Sequence, residues 1–466
     1  MAMLFLYVAI IVVSTFLILY YVHRRRIKDC GTPLGTDWPI LGMLPQVLCN
    51  LSRIHDFATT VLREKGGTGE FLGPWFTNLN YMATIDPMNV HHMFSKNFDN
   101  YVKGPEFREM FNPFGDGLVT NDSETWRYHR TLLHSLFRKK SFETMSEKTI
   151  QNMVQNSLLP ILDHACLHGK VLDIQQVFSR LMFEETCLLL LGYDPHNLSS
   201  DFPLAEVEKA FDEVQETIFY RHYVPRSVWK FQEWLQIGEE KKLTKACKVF
   251  DQFLYSCIAR KRQGLLISKH NKSGDDVLSG ILMSEEKGKM VHDDKFIRDV
   301  IFNLFAAGRD TITSGLVWFF WLVATHPSVE AKILEEIEKS FGVTDGENCK
   351  SLGIEDVEKL VYLHGALCEG LRLFPPIPIE RKQPLKHDTL PSGHHVTPNT
   401  TILLFTYGPR TCLGKDVSFF QMKIVAAAVL SNYRIQVVEN HPVIPVHSII
   451  LLMKHGLKVN ISRRKL

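Results

Sequence analysis

The sequence has no CxxC pair, no strong net charge and no internal repeat. Its 9 cysteines are scattered from Cys30 to Cys412, so neither a zinc knuckle nor a redox dithiol is predicted. The formal net charge is only +2 over 466 residues, which provides no basic field for nucleic acid. These absences predict a globular protein of a reducing compartment that does not bind nucleic acid.

Charge is also absent from residues 4–22, LFLYVAIIVVSTFLILYYV, a run long enough to cross a bilayer as a helix. The basic stretch HRRRIK follows it directly, so the positive-inside rule places the rest of the chain in the cytosol. A cleaved signal peptide would need a basic segment before the run and small residues after it, and neither is present. We predict that residues 1–28 are a single-pass membrane anchor with its basic flank.

Prolines alternate with glycines in residues 29–48, which predicts a stiff hinge between the anchor and the body. The body, residues 49–466, reads as mainly helical with short strand-like runs such as FTNLNYMATI and TTILLF. Within it, SETWRYHRTLLHSLF predicts a helix that begins at Ser123 and carries Trp126 and Arg130 on one face.

One long segment predicts a single helix from Asp293 to His326, ending before Pro327. After Ile301 it is apolar on almost every face, as in a helix buried in a large core or in a membrane. The charges in AAGRDT argue against a membrane span, so we expect the central buried helix of the body. Gly308 costs about 1 kcal/mol relative to alanine in a helix, and we expect some group to approach the backbone there.

Cys412 lies in the stretch GPRTCLGKD, directly before a predicted helix. The helix N-terminus and Arg410 both favour the thiolate, which is the ligating form of cysteine. Gly408 permits a tight turn, and Gly414 would let a large flat ligand lie against the first helical turn. A thiolate without Cys or His partners nearby cannot build a structural zinc site, but it suffices as the axial ligand of a heme.

At this point the chain resembles a known family. FTYGPRTCLG, residues 405–414, is similar to the cysteine loop of cytochromes P-450, F-x-x-G-x-R-x-C-x-G. In the family's order, WRYHR resembles its W-x-x-x-R helix, AAGRDT its oxygen-groove motif and EGLR its E-x-x-R helix. Longer stretches such as GLRLFPPIPIERKQP resemble the plant fatty-acid and alkane hydroxylase branch, especially its midchain alkane hydroxylase subfamily. The resemblance implies a mainly α fold with small β-sheets, whose long central helix lies over heme b.

The resemblance also implies the heme contacts. Cys412 would be the axial ligand of the heme iron. The other contacts would come from Arg410, Arg130 and Trp126 at the propionates, from Phe405 beside the sulfur, from Gly408 and Gly414 in the loop, and from Ala307 and Gly308, which would leave room for dioxygen.

Two further pairs take roles from the resemblance. Thr311, with Asp310 beside it, would bind the activated oxygen and relay protons, and Glu369 and Arg372 would form a buried ion pair behind the cysteine loop. Taken alone, each pair also has an ordinary interpretation, as a local hydrogen-bonded pair or as a surface ion pair. Their occurrence in the family's order favours the functional interpretation.

The sequence departs from the family before the cysteine loop. Only 40 residues separate Arg372 from Cys412, and the P-E-R-F-like segment that normally precedes the loop is missing, so the heme domain is shortened between residues 405 and 408. The arginine of that segment would complete a triad with Glu369 and Arg372. A broken buried ionic network costs several kcal/mol, on the order of 3–5, so we expect weak heme loading or none.

The resemblance implies a heme–thiolate monooxygenase of the endoplasmic-reticulum membrane that hydroxylates a long-chain, lipid-like substrate, a fatty acid or an alkane. Electrons would come from NADPH through a flavoprotein reductase, for which exposed cations would provide a docking face, although a plain solvated basic face remains open. These cations are Arg127, Arg138, Lys139, Lys140 and Lys415. Two alternatives stay open: a non-catalytic or heme-deficient membrane-anchored relative, and a heme-holding protein without turnover.

Overall fold

The protein is described here from a computed structural model. It describes residues 37–75, 77, 79–193, 204–267, 274–286, 292–342, 352–404, 410–446 and 448–464, with a few isolated positions before residue 37. Phe405, Gly408 and most of the predicted anchor, residues 1–28, lie outside the described residues. The chain divides into two compact units, and each is presented by itself.

Helices dominate the described residues, as the sequence predicted. They are α1 (Leu44–Cys49), α2 (Ile54–Glu64), α3 (Pro87–His91), α4 (Gly104–Met110), α5 (Ser123–Phe137), α6 (Lys140–Met153), α7 (Leu159–Leu167), α8 (Ile174–Leu191), α9 (Leu204–Tyr223), α10 (Arg226–Leu235), α11 (Gly238–Ile267), α12 (Val277–Glu286), α13 (Asp294–Gly308), α14 (Asp310–Thr325), α15 (Pro327–Phe341), α16 (Ile354–Glu358), α17 (Val361–Leu373) and α18 (Lys415–Asn432).

The strands are short. They are β1 (Thr68–Phe71), β2 (Tyr81–Thr84), β3 (Tyr101–Val102), β4 (Leu172–Asp173), β5 (Glu380–Pro384), β6 (Asp388–Thr389), β7 (His395–Val396), β8 (Thr401–Leu404), β9 (Tyr433–Val437) and β10 (Lys458–Arg463). They form a five-stranded sheet in the order β1-β2-β8-β5-β3, a three-stranded sheet in the order β4-β10-β9, and the pair β6-β7.

The first unit comprises residues 1–110, 219–241 and 379–411 and contains the five-stranded sheet. Strand β8, the predicted TTILLF strand, lies at its centre and pairs parallel with β2 and antiparallel with β5. Ile402 and Leu404 of β8 are buried in a small apolar core. Leu404, its last described residue, is paired with Glu380 of β5.

A carboxylate ties together several turns of the first unit. One oxygen of Asp388, at the start of β6, accepts hydrogen bonds from His92 and Asn97 at 2.8 Å and from Tyr101 at 2.7 Å. Burial alone would raise the pKa of Asp388, but these hydrogen bonds and that of the Thr389 amide lower it to about 2. The carboxylate is therefore stabilised in its charged form.

The second unit comprises residues 111–218, 242–378 and 412–466 and holds the largest hydrophobic core. Helix α14 runs through this core, where Trp318 is 1% exposed and stacks on Phe374 with ring centroids 4.1 Å apart. Its indole N–H donates to the Leu451 carbonyl at 2.6 Å, as a buried indole requires. The apolar faces of α8 and α18 complete the core, so the predicted central helix is buried.

The central helix is interrupted at a single residue, across which backbone hydrogen bonds continue from Arg309 to Phe305 and from Thr313 to Arg309. We predicted one helix from Asp293 to His326, but α13 ends at Gly308 and α14 begins at Asp310, with Arg309 between them. At the break the Thr311 hydroxyl donates to the Ala307 carbonyl. A side-chain hydroxyl that bonds a carbonyl four residues earlier commonly bends a helix.

Among the described residues, no single helix is both long and apolar enough to cross a bilayer; only the bent pair 294–325 and 327–341, with 107° between its arms, meets the length and composition requirement when taken together.

Candidate active site

Cys412 stands just before α18, whose N-cap is Gly414. The side chain is exposed on one side, while protein atoms crowd the sulfur on the others. This crowding raises the pKa of the Cys412 thiol, and the Gly414 amide N–H and the positive charge of Arg130 oppose the rise. Unliganded, the sulfur is therefore a thiol rather than a preformed thiolate, and a bound cation would be needed to hold it deprotonated.

The predicted face of α5 forms. Trp126 is buried, and the guanidinium of Arg130 lies over its ring at 5.6 Å from the centroid, within the range of a cation–π contact. Because Arg130 also acts electrostatically on the Cys412 thiol, the structure brings these two predicted residues together. Arg410 is described in the first unit, and its role at the heme stays a prediction.

These residues fit a flat group with an anionic edge. A Cβ added at Gly414 would meet only the Ser418 hydroxyl, at 3.9 Å, so the backbone beside the sulfur is open to a close approach. Arg130 offers a planar guanidinium suited to carboxylates, and Cys412 offers one soft ligand. Within the described chain, no group of three or more His, Cys, Asp or Glu side chains could hold a metal ion.

Ala307 lies in the last turn of α13, next to the break in the central helix. This residue is exposed, whereas Phe305 and Arg309 on either side are buried. Gly308 behaves differently from Ala307: a Cβ there would meet the Thr186 hydroxyl oxygen at 3.4 Å. The group that approaches the backbone at Gly308 is therefore a side chain of α8, and the space for dioxygen that we assigned to both residues stays a prediction.

Asp310 and Thr311 point to different partners. Thr311 is half-buried, and its hydroxyl donates a hydrogen bond to the Ala307 carbonyl. Asp310 is 3% exposed, and its carboxylate accepts a hydrogen bond from Gln215 of α9 at 2.5 Å. The proton relay that we expected from this pair stays a prediction. Asp310 is already hydrogen-bonded to Gln215, a residue that the sequence motif does not contain.

Arg309 is a second residue that sequence reasoning missed. Its side chain is 3% exposed and pairs with Glu208 at 2.8 Å and Asp212 at 2.5 Å, both on α9, and more loosely with Asp310 at 3.5 Å. It also donates to the Ser179 hydroxyl of α8 at 3.0 Å. The only signal in the sequence was a charge in the middle of an apolar helix, which had to find partners.

The Glu369–Arg372 pair requires a correction. The two side chains meet through two hydrogen bonds of 2.7 Å on α17, but they are 55% and 66% exposed, so the prediction of a buried pair is wrong. An i,i+3 pair on a helix surface is exposed unless another segment covers it. The segment that we predict to be missing before the cysteine loop is the one that would be expected to cover it.

Comparison with known proteins gives a consistent result. The family model for cytochrome P450 matches residues 32–408, and this match ends four residues before Cys412. Alkane hydroxylase MAH1 of Arabidopsis thaliana is 38% identical over 509 aligned positions that cover 100% of both chains. Because this chain can fill only 466 of those positions, the alignment contains positions that it lacks.

Two further similarities concern the whole chain. Noroxomaritidine synthase of Narcissus aff. pseudonarcissus MK-2014 is 34% identical, with 98% of this chain and 96% of that protein covered. The crystal structure of the cytochrome P450DA heme domain superposes with a TM-score of 0.75, covering 93% of this chain and 98% of that one at 16% identity, a likeness of fold alone.

The cytochrome P450 family consists of monooxygenases that use heme b and receive NADPH electrons through a reductase. The family-model match spans most of the chain, and the similarity to a curated member spans all of it. The fold agrees with both findings. The chain belongs to the cytochrome P450 family.

Proposed function

We propose that this chain hydroxylates long-chain aliphatic substrates, fatty acids or alkanes, using dioxygen and NADPH-derived electrons. The observation that carries the chemistry is Cys412 at the start of α18, open on one side and within the electrostatic reach of Arg130. The substrate class rests on the similarity to alkane hydroxylase MAH1. A relative at 34% identity is named for noroxomaritidine synthesis, so the assay must include substrates outside the aliphatic class.

In the proposed site, Cys412 would ligate the heme, and Arg130 and Trp126 would hold its carboxylates, a role that the resemblance also gives to Arg410. The bound heme would supply dioxygen activation, which a thiolate ligand favours. Ala307 is exposed on the central helix and would leave room for dioxygen. The Thr311 hydroxyl, which donates to the Ala307 carbonyl, would pass a proton.

The proposal includes a cationic face on which the reductase would dock. Five exposed cations lie on the second unit: Arg127, Arg138, Lys139, Lys140 and Lys415. Such a face speeds docking of an acidic partner, and ion pairs to Glu124 and Glu143 already occupy Arg127 and Lys140. Those two cations therefore contribute less than the other three.

A single N-terminal span would place the body on the cytosolic side of the endoplasmic-reticulum membrane. The few described positions in this stretch are helical and exposed, among them Tyr7 at 63%, Leu17 at 59% and Ile18 at 63%. Apolar side chains left exposed along a helix favour burial in lipid. Protease protection of a tag placed after Lys28 would show this tag to be lumenal and would refute the orientation.

A second candidate is a heme-deficient, non-catalytic form. The specific observation in its favour is the exposure of Glu369 and Arg372, since the segment that would cover them is missing. This alternative predicts a folded, membrane-bound protein with little bound heme.

A reduced, carbon-monoxide-bound absorption spectrum tests the proposal. The full chain should give a thiolate-type Soret band, which Cys412→Ala should abolish. Cys368→Ala is the matched control, because Cys368 is also an exposed cysteine but lies on α17. A Cys412→Ala protein that keeps the thiolate-type band would refute the ligand assignment.

Turnover is then measured with reductase and NADPH on a long-chain alkane, a fatty acid and an aromatic compound without a long aliphatic chain. Hydroxylated aliphatic product supports the proposal. Product from the aromatic compound alone would overturn the substrate class, and a wild-type chain without any Soret band would support the heme-deficient form.

A further inference from the structure

A buried arginine occupies the break in the central helix. Arg309 is 2% exposed and stands alone between α13 and α14, with φ −77° and ψ −70°. Two aromatic rings flank its guanidinium, Phe183 of α8 and Phe211 of α9, each with the ring centroid 5.5 Å away. Removing such a charge from water is costly unless its donors are satisfied, so the partners of Arg309 should be decisive.

Those partners come mainly from one helix. Two guanidinium nitrogens bond Glu208 and Asp212, which are one turn apart on α9, and a donor also reaches Ser179 on α8. Asp310, the next residue along the chain, is held by Gln215 of the same helix α9. Consecutive residues at the break are thus fixed to α9 by separate polar contacts.

The geometry points to a positioning role: we propose that Arg309 fixes the break of the central helix to α9 and thereby sets where Asp310 and Thr311 stand for proton delivery. The role rests on the proposed monooxygenase function. Arg309 itself acts through its neighbours, because two of its guanidinium nitrogens are bonded to α8 and α9 while the exposed position at the break belongs to Ala307.

The planar fork of arginine is essential to this arrangement. Arginine can bond several acceptors in fixed directions, whereas the lysine ammonium is a compact point charge. Arg309→Lys should therefore keep the charge but lose the simultaneous contacts to Glu208, Asp212 and Ser179. A purely structural need for a buried cation would be met by lysine, and this difference separates the two interpretations.

The first measurement is hydrogen exchange of backbone amides in the full-length protein. Arg309→Met should speed exchange about tenfold at residues 309–313 and in α9, because their local opening becomes easier, while α6 and α7 stay protected. Arg309→Lys should give most of this effect. Lys339→Met is the matched control, since Lys339 lies on α15 in an exposed pair with Glu335, and it should change neither region.

The second measurement is the division of NADPH electrons between hydroxylated product and hydrogen peroxide. Arg309→Lys should raise the peroxide share at least about twofold, with substrate-binding affinity less changed than turnover. Should Arg309→Met fail to fold, Glu208→Gln, which alters a partner that is 28% exposed, should give a smaller shift in the same direction.

Unchanged exchange at 309–313 and in α9, or a uniform rise across the second unit, would overturn the positioning role. So would an Arg309→Lys protein with wild-type exchange and coupling. A wild-type protein without any turnover would refute the proposed function instead, and the exchange data would still decide the role of Arg309.

Discussion

The clearest prediction concerns a carboxyl group buried without a cation. Glu185 of α8 is 2% exposed, and the amide nitrogen of Gln421 of α18 donates to it at 2.6 Å. Burial raises the pKa of Glu185 from 4.5 to about 8, against a small lowering by that hydrogen bond. Glu185 is therefore a neutral acid at pH 7. The side-chain oxygen of Gln421 accepts no hydrogen bond from the described chain, so it can accept one from the protonated carboxyl group.

The perturbation is Glu185→Gln, which keeps the shape and removes the titration. An amide at this position would accept from Gln421 as before and would donate to the unsatisfied Gln421 oxygen. Because the folded pKa is raised, the wild-type protein has its full stability below pH 4.5 and loses it as the pH rises to about 8. Each pKa unit corresponds to about 1.4 kcal/mol, so the loss approaches ~4–5 kcal/mol above pH 8.

Glu185→Gln should therefore be more stable than the wild-type protein at pH 8, by most of this amount, and much closer to it at pH 5. The measurement is the midpoint of urea unfolding at both pH values, monitored by far-UV circular dichroism on samples with matched heme content. The control is Glu335→Gln: Glu335 forms an exposed pair with Lys339 on α15, a kind of pair worth about 0–1 kcal/mol, and its substitution should show little pH dependence between these two values. An equal difference between wild type and Glu185→Gln at both pH values would refute the reasoning.

Four further outcomes are expected. Thr311→Ala should retain heme yet divert NADPH electrons to hydrogen peroxide, and unchanged coupling would exclude its role in proton delivery. Asp388→Asn should cost about 2–3 kcal/mol at pH 7 and flatten the loss of urea stability between pH 4 and 2, since a carboxylate with a lowered pKa stabilises only above that pKa; an equally steep acid limb would contradict this. Deletion of residues 1–28 should loosen membrane attachment while leaving the heme spectrum intact, and loss of that spectrum would count against a separable anchor. Insertion of a family-length segment after Tyr407 should raise the heme content per polypeptide.

Local patterns predicted the framework well. The start of α5 at Ser123, the strand before the cysteine loop and the burial of the central helix all followed from signals within one segment: a helix-start residue, a short strand-like run and a helix apolar all round. Such signals act over a few residues, so the chain displays them directly.

Contacts between distant segments were not predictable in this way. Nothing near Glu185 in the sequence indicates Gln421, and nothing near Arg309 indicates Glu208, because only the packing of α8, α9 and α18 brings these residues together. The exposure of Glu369 and Arg372 was likewise missed, since the motif records their spacing and not what covers them.

The insertion prediction follows from the chain between β8 and the sulfur. Leu404 ends a strand paired on both sides, and Cys412 stands before α18, so the chain from one to the other spans at most about 28 Å when fully extended. A tether of this length limits how freely the sulfur can adjust to a metal, whose ligand bonds tolerate about 0.2 Å. The family segment would add length and would also cover Glu369 and Arg372.

A Gly/Ser insert of equal length separates the two effects, because it lengthens the chain without covering the pair. Higher heme content with both inserts would assign the defect to reach, and higher content with the family segment alone would assign it to the uncovered pair. If the unaltered chain already bound one heme per polypeptide, the shortened loop would be sufficient and this argument would be wrong.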